Sequence, residues 1–519
     1  MSSLQKIISY KLIFLLLIFL GVHVLLFNIN AAEWGDSYRI LRSAEFLKRG
    51  AYPPDEKRQP LLALALATRP TSQDPTSYGR FVLFVFSLLS FILFYFLLSS
   101  FIKDSQLVFW GMLAFLFNNV FLYWSLRVMT DVPYGFFVIL AIYIYQKNKD
   151  QLNFATLFLI GIVCGLATLT RFEGYLLFAA FGLGVALTGF KFNLTYLKLP
   201  IIKQKFIQLL PFILGYLILV GPYLYFRDPL ASTYFEEPAN RQYGFKMLAT
   251  YILSFMCLFG VIPVFYLCVK SSARLYKIFV TNLPMCFYVL LELLLILAWP
   301  AAVPRLFVPI IPFLLIAAIL SVRIYFEQDE RKKSTIHWLM LSLAIYIVGQ
   351  YWLKLQFLIL DRRLFVVDIV LQLLLIYFLV KNKKRLFYIV SVVAMMLWSG
   401  SIIYMHKDIF ISIKSGAAYA GQTLTGNIGY NDVSSVSDWY INYQYKKAKT
   451  AGFYYNTEKK RNLELAPLQA AKIDYLLITN EHNTTMTLDL NKRPYLKELR
   501  VFSYKVNGQT FVTRIVKVL

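Results

Sequence analysis

Cysteine and histidine are scarce in this chain, at four residues each in 519. Cys164, Cys257, Cys268 and Cys286 form no CxxC pair and all lie in or against apolar stretches, which reads as packing and excludes a disulfide framework or a zinc site. His23, His337, His406 and His482 are scattered, which argues against a histidine metal cluster. Acid is also in short supply: 28 Asp and Glu stand against 53 Lys and Arg, a formal net charge of +25. A Walker-type loop, a GxGxxG opening a helix after a strand, HExxH and GxSxG are all missing, so nucleotide-driven transport and serine hydrolysis lose their support. Finally, no long apolar run occurs after Tyr404.

Before Tyr404 such runs dominate. The chain is 58% hydrophobic and 17% aromatic, well above the roughly 45–50% apolar content of soluble domains. Candidate membrane spans fall at 12–29, 81–100, 107–124, 132–146, 154–170, 174–190, 207–226, 247–269, 279–299, 306–322, 337–353, 364–380 and 386–404. The first lacks a small-residue cleavage site and is taken as a retained span. Basic residues cluster between runs rather than in one domain, which points to anionic lipid and not nucleic acid as their counterpart. With the N-terminus and its Lys6 and Lys11 in the cytoplasm, the clusters at Lys147/Lys149, Lys191/Lys198/Lys203/Lys205, Lys270/Arg274/Lys277, Arg331/Lys332/Lys333 and Lys381/Lys383/Lys384/Arg385 all fall inside. An odd number of crossings then sends the tail outside. The expected architecture is an α-helical polytopic membrane protein of about thirteen transmembrane helices over 1–404, with a small extracytoplasmic α/β domain over 405–519. Strand-like runs at 473–479, 499–506 and 510–518 supply the domain's sheet.

Two outer connections are long enough to fold. Within 30–80, Tyr38, Leu41, Ala44 and Leu47 recur at helical spacing before Gly50, which predicts an amphipathic helix at the membrane interface. The second, 227–246, carries Glu236, Glu237 and Arg241. Asp36 stands just outside the first span, where partial dehydration can raise a carboxylate's basicity. Asp131, in "TDVPY" after the third span, falls on the same face, so the two could converge on one pocket. Either could equally cap the helix that follows it. Glu292 lies inside a span, a position where a carboxyl is a functional candidate, although it could simply pair with a neighbouring helix. Arg58, Arg171 and Arg305 also map outside, where guanidinium forks suit a lipid phosphate, with headgroup snorkelling as the alternative.

These motifs resemble the GT-C superfamily of membrane glycosyltransferases, in the branch of protein O-mannosyltransferases and the lipid A aminoarabinose transferase. Asp36 and the helix over 37–49 match the family's acidic residue and amphipathic helix after the first span. Arg58-Gln59-Pro60-Leu61 echoes its basic-Pro-Pro-Leu segment, with Gln59 in place of proline. Asp131-Val132-Pro133, Leu169-Thr170-Arg171-Phe172-Glu173-Gly174 and Arg305-Leu306-Phe307-Val308-Pro309-Ile310-Ile311-Pro312 match three further signatures, the last with one altered spacing. The mannosyltransferases carry an Asp-Glu pair where this chain has Asp36-Ser37. The "AAKIDYLLIT" segment resembles the outer domain that many bacterial and archaeal members append.

The resemblance implies a donor sugar linked to polyprenyl or dolichyl phosphate and an extracytoplasmic protein, lipid or glycan as acceptor, in a cell membrane. Transfer would proceed by single displacement with inversion. Asp36 would act as the base, with Asp131 orienting the acceptor or holding Asp36. Arg58, Arg171 and Arg305 would bind the phosphate, with Glu173 fixing Arg171 and Glu292 in support. No metal is required, although Asp36 and Asp131 together could hold a divalent ion. A phosphate acceptor would need no base. The rival reading is a non-enzymatic lipid or polysaccharide transporter, which predicts internal repeats or broken helices in matching halves.

Overall fold

The described apolar segments are helical, and several open on a capping side chain or a proline, as at Asp74, Asp104, Asn118, Asn153, Asn282 and Asp361. The computed structural model describes residues 10–188, 199–227, 243–299, 303–327, 333–353, 360–432, 434–454, 464–481 and 492–519. In chain order the helices are α1 (Tyr10–Leu26), α2 (Gly35–Leu47), α3 (Leu61–Ala67), α4 (Pro75–Phe101), α5 (Ser105–Leu116), α6 (Asn119–Ser125), α7 (Asp131–Asn148), α8 (Phe154–Thr170) and α9 (Gly174–Leu187). They continue with α10 (Leu199–Phe226), α11 (Phe245–Cys257), α12 (Ile262–Lys270), α13 (Ser272–Phe279), α14 (Leu283–Ala298), α15 (Ile311–Glu327), α16 (Lys333–Leu353), α17 (Arg362–Val380), α18 (Lys384–His406) and α19 (Ile411–Thr423). Asp74 shows the usual start: its carboxylate accepts from the Ser77 amide at 2.8 Å while Pro75 opens α4. Among the described residues, four helices are long and apolar enough to cross a membrane, or six if each bent pair is one span. The other expected spans correspond to α1, α7, α8, α9, α14, α15 and α16. The connection at 227–246 and the cluster residues Lys191, Lys198, Arg331 and Lys332 lie outside the described residues, apart from the ends of that connection.

Two of the spans are broken. α5 meets α6 at 56° and α11 meets α12 at 96°. In α11 the Tyr251 hydroxyl donates to the Trp299 carbonyl at 2.5 Å, and at the end of α12 Lys270 donates to Thr335 Oγ1 at 2.9 Å. The two breaks meet. Asn118 and Asn119 donate to the carbonyls of Leu258 and Cys257 at 2.9 and 3.0 Å. Gln372 donates to the Gly260 carbonyl at 2.9 Å and accepts from the Ile262 amide at 3.0 Å, and Ser399 donates to the Phe117 carbonyl at 2.6 Å. No water reaches hydrocarbon depth, so backbone groups released by a bend must find such side chains. Gly260 holds φ +62° beneath the Trp398 ring, a conformation and a clearance that suit glycine alone.

The connections expected on one side gather at one end. Asn30 donates to the Leu126 carbonyl at 3.0 Å, Arg80 binds Glu33 at 2.7 Å, and Arg127 donates to the carbonyls of Ala32 and His406 at 2.6 and 2.7 Å. At the opposite end Lys11 donates to Ser105 at 2.9 Å and Asn282 to Gln146 at 2.9 Å.

Beyond α18 a five-stranded sheet forms from β1 (Asn427–Tyr430), β2 (Lys449–Tyr454), β3 (Tyr475–Thr479), β4 (Leu496–Val506) and β5 (Gln509–Val518), in the order β2-β1-β3-β5-β4. β1 runs parallel to β2 and β3, while β5 is antiparallel to β3 and β4. Asn507-Gly508, both at positive φ, make the tight turn between β4 and β5. The domain sits on α2. Tyr38 packs against Trp439 and Tyr440 with ring centroids 6.3 and 5.7 Å apart, and Phe46 lies 6.3 Å from Tyr443. The amphipathic helix therefore buries Tyr38, Ile40, Leu41 and Ala44 in protein, where the sequence predicted a helix lying at the lipid interface. Periodicity reports that a face is covered, not by what.

Candidate active site

Asp36 is in the first turn of α2, and its helix is preceded by Trp34 with no side-chain cap. Free of capping duty, its carboxylate lies between two cations. Oδ1 accepts from Arg58 Nη2, and Oδ2 accepts from Arg305 Nη2 at 2.9 Å. Burial works to raise the Asp36 pKa, but the charges of Arg58 and Arg305, with Lys57, hold it well below the usual carboxylate range. Arg58 is itself fixed from behind. Its Nη1 and amide donate to Glu56 Oε1 at 2.7 and 3.0 Å, and Tyr52 donates to its carbonyl at 2.8 Å. Arg305 stands on the one-turn helix Pro304–Phe307 over the Trp124 ring, 5.8 Å from its centroid.

A second cluster adjoins. Arg171, at the end of α8, forks onto Glu173, with Nε to Oε2 at 3.0 Å and Nη2 to Oε1, and its Nη1 donates to Asp131 Oδ1. Asp131 opens α7 without capping it, since Thr130 holds that position with no side-chain bond. Asp131 is fully buried and its Oδ2 has no partner among the described residues.

Both clusters face a cavity of about 530 Å³ lined by Asp36, Lys57, Arg58, Arg171, Glu173, Glu292 and Arg305 among others, with Leu295, Ile296 and Trp299 on its apolar wall. The structure thus brings together Asp36, Arg58, Arg171, Arg305, Glu173 and Glu292. Asp131 stands behind this wall, joined to Arg171 and not to Asp36. Sequence reasoning passed over Lys57 and Glu56. "DEKRQP" holds both, and the signal was two acids and two bases in a connection already suspected. Burial and the neighbouring Arg58 charge bring the Lys57 ammonium down to about 8. Among the described residues, no group of three or more His, Cys, Asp or Glu is placed to hold a metal.

Residues 66–227 match the family model of dolichyl-phosphate-mannose-protein mannosyltransferases, a stretch that contains Asp131, Arg171 and Glu173. No curated protein matches the chain. Among the solved structures similar to it are two states of one protein. ArnT from Cupriavidus metallidurans bound to undecaprenyl phosphate has a TM-score of 0.58 at 11% identity, covering 96% of this chain and 97% of that one. The apo state of the same protein gives 0.56 at 12%, with the same coverage. The chain therefore shares the overall fold of that protein over nearly its whole length, membrane region and appended sheet included.

Proposed function

We propose that this multi-pass membrane glycosyltransferase of the GT-C type transfers a sugar from a polyprenyl- or dolichyl-phosphate donor to an extracytoplasmic acceptor, with inversion at the anomeric carbon. The observation that carries the reading is the Asp36 carboxylate gripped by Arg58 and Arg305 on the wall of a cavity. In this reading about thirteen helices cross the membrane, the N-terminus is cytoplasmic, and residues 405–519 form the outer domain.

Arg58, Arg171 and Arg305 bind the donor phosphate, each already oriented by Glu56, by Glu173 and Asp131, or by the Trp124 ring. Asp36, held low by its cations, is a weak base in the resting site. A bound phosphate competes for the same guanidiniums, so their pull on Asp36 falls and its basicity rises when the donor is in place. Asp36 then takes the acceptor hydroxyl's proton as the oxygen bonds to the anomeric carbon. The bond from that carbon to the phosphate oxygen breaks, and the polyprenyl phosphate leaves with one more negative charge, spread over the Arg forks. Asp131 acts through Arg171. An acceptor that is itself a phosphate is already nucleophilic, and there Asp36 positions and does not deprotonate.

The test is transfer from radiolabelled polyprenyl-phosphate sugars by membranes holding wild type or Asp36→Asn. Loss of a general base lowers turnover by about a hundredfold or more. Unchanged transfer by a folded Asp36→Asn protein removes Asp36 from proton transfer and restricts the reading to phosphate acceptors. Absence of transfer from any lipid donor by wild type favours transport.

A further inference from the structure

Glu292 lies on α14 two turns before Trp299, and Glu292, Leu295, Ile296 and Trp299 form one stripe of that helix along the cavity. The stripe is apolar except for this carboxyl. Glu292 is 1% exposed, and its Oε2 has no hydrogen-bond partner among the described residues. The Tyr288 hydroxyl, which donates to the Tyr134 hydroxyl at 3.2 Å, borders the same carboxyl one turn further in. A buried carboxyl oxygen left open is costly, and a cavity wall that keeps one is shaped for a polar group that arrives with the ligand. A polyprenyl tail offers nothing to such an atom. A sugar ring does: its hydroxyls donate to an ionised carboxylate and accept from a neutral carboxyl, so the match holds in either protonation state. The neighbouring arginines that suit the phosphate are all anchored to other carboxylates, whereas Glu292 keeps an open carboxyl oxygen among the described residues, on the apolar stripe of the wall.

We infer that Glu292 reads a hydroxyl of the donor's sugar and is a specificity-determining residue of this site, an assignment that rests on the transfer reading above. A tail segment, an acceptor group or a purely structural role are the other possible occupants and purposes of that wall, and they behave differently under substitution on both sides of the contact.

The experiment uses the full chain in liposomes with polyprenyl-phosphate-linked mannose, glucose, galactose and arabinose, followed by the monodeoxy analogues of whichever sugar is transferred. Wild type should lose about 10- to 100-fold in kcat/KM on one particular monodeoxy donor, the range for a hydrogen bond to a charged group. Glu292→Met should lose a similar factor on the parent sugar and nothing further on that monodeoxy donor, with Glu292→Gln between the two. Melting of each variant in detergent shows that it is folded. Losses that multiply on every monodeoxy donor, or folded variants with unchanged kcat/KM, overturn the assignment while leaving transfer intact. Absence of transfer by wild type from all four donors overturns the transfer reading and this one with it.

Discussion

Replacing Gly35 with alanine should disable the site without touching any group in it. Gly35 is the first residue of α2, directly before Asp36, and it faces Ser434 of the outer domain. A methyl group there would press into the Ser434 carbonyl, with the carbonyl carbon at 2.9 Å and Cα at 3.0 Å. Ordinary contact between carbons needs about 0.5 Å more, and both obstacles are backbone. The loop cannot swing away freely, because the Asp432 carboxylate accepts from the amides of Ser434 and Ser437 at 2.7 and 2.8 Å, and Ser435 accepts from Arg39 Nε at 3.3 Å. Overpacking of this kind costs about 1–3 kcal/mol. The strain is relieved most simply by moving the start of α2, and Asp36 moves with it relative to Arg305. Because a shift of about 1 Å at a reacting group can cost a hundredfold, we expect Gly35→Ala to lose about 10- to 100-fold in kcat, with a smaller change in donor KM. The assay is steady-state transfer of a radiolabelled lipid-linked sugar beside thermal melting in detergent. A protein that melts early yet turns over at the wild-type rate would show that the loop yields and α2 does not, and would refute the reasoning.

Lys57, brought down to about 8 by burial and its neighbouring charge, should shape the alkaline limb of kcat/KM. Below that pH it is cationic and draws the donor phosphate, above it the attraction fades, and Lys57→Arg should push the limb to higher pH; an unmoved limb assigns it to another group. Arg80→Met should lower the apparent melting temperature, because it leaves Glu33 charged and buried where the pair now meets at 2.7 Å. Breaking such a pair costs about 3–5 kcal/mol, Glu33→Gln in the same chain should return part of it, and equal melting of wild type and Arg80→Met would sink the assignment.

Much of this was legible because the signals are local. Apolar runs mark helices wherever they fold, and the alternation of basic clusters predicts a common side for Asp36, Arg58, Arg171 and Arg305, which line one cavity. The runs at 473–479, 499–506 and 510–518 stand out as β-branched and aromatic, and they fold as β3, β4 and β5 with ends shifted by up to three residues. β1 did not, since four residues with a central glycine read as a turn. Partnerships across the fold were hidden for a different reason. Asp131 and Asp36 are expected on one face and could converge on one pocket, yet which cation each one meets depends on the arrangement of α7, α8 and the turn at Arg305. Nothing in "EDKR"-type composition distinguishes Glu56, locked onto Arg58, from an acid in water. The breaks at α5–α6 and α11–α12 were read as continuous spans, because a bend stabilised by side chains far along the chain leaves no mark on local hydropathy.

Those breaks also set an order on biogenesis. The Phe117 carbonyl enters the bilayer with the third apolar segment, but the hydroxyl that answers it, on Ser399, is 282 residues further on. Asn118 and Asn119 wait 140 and 138 residues for the carbonyls they serve. Until then the ribosome has delivered a kinked segment whose polar backbone has no lasting partner in the bilayer core. That segment must be sheltered beside the translocon or remain at its edge, and it can settle only when the last helix arrives.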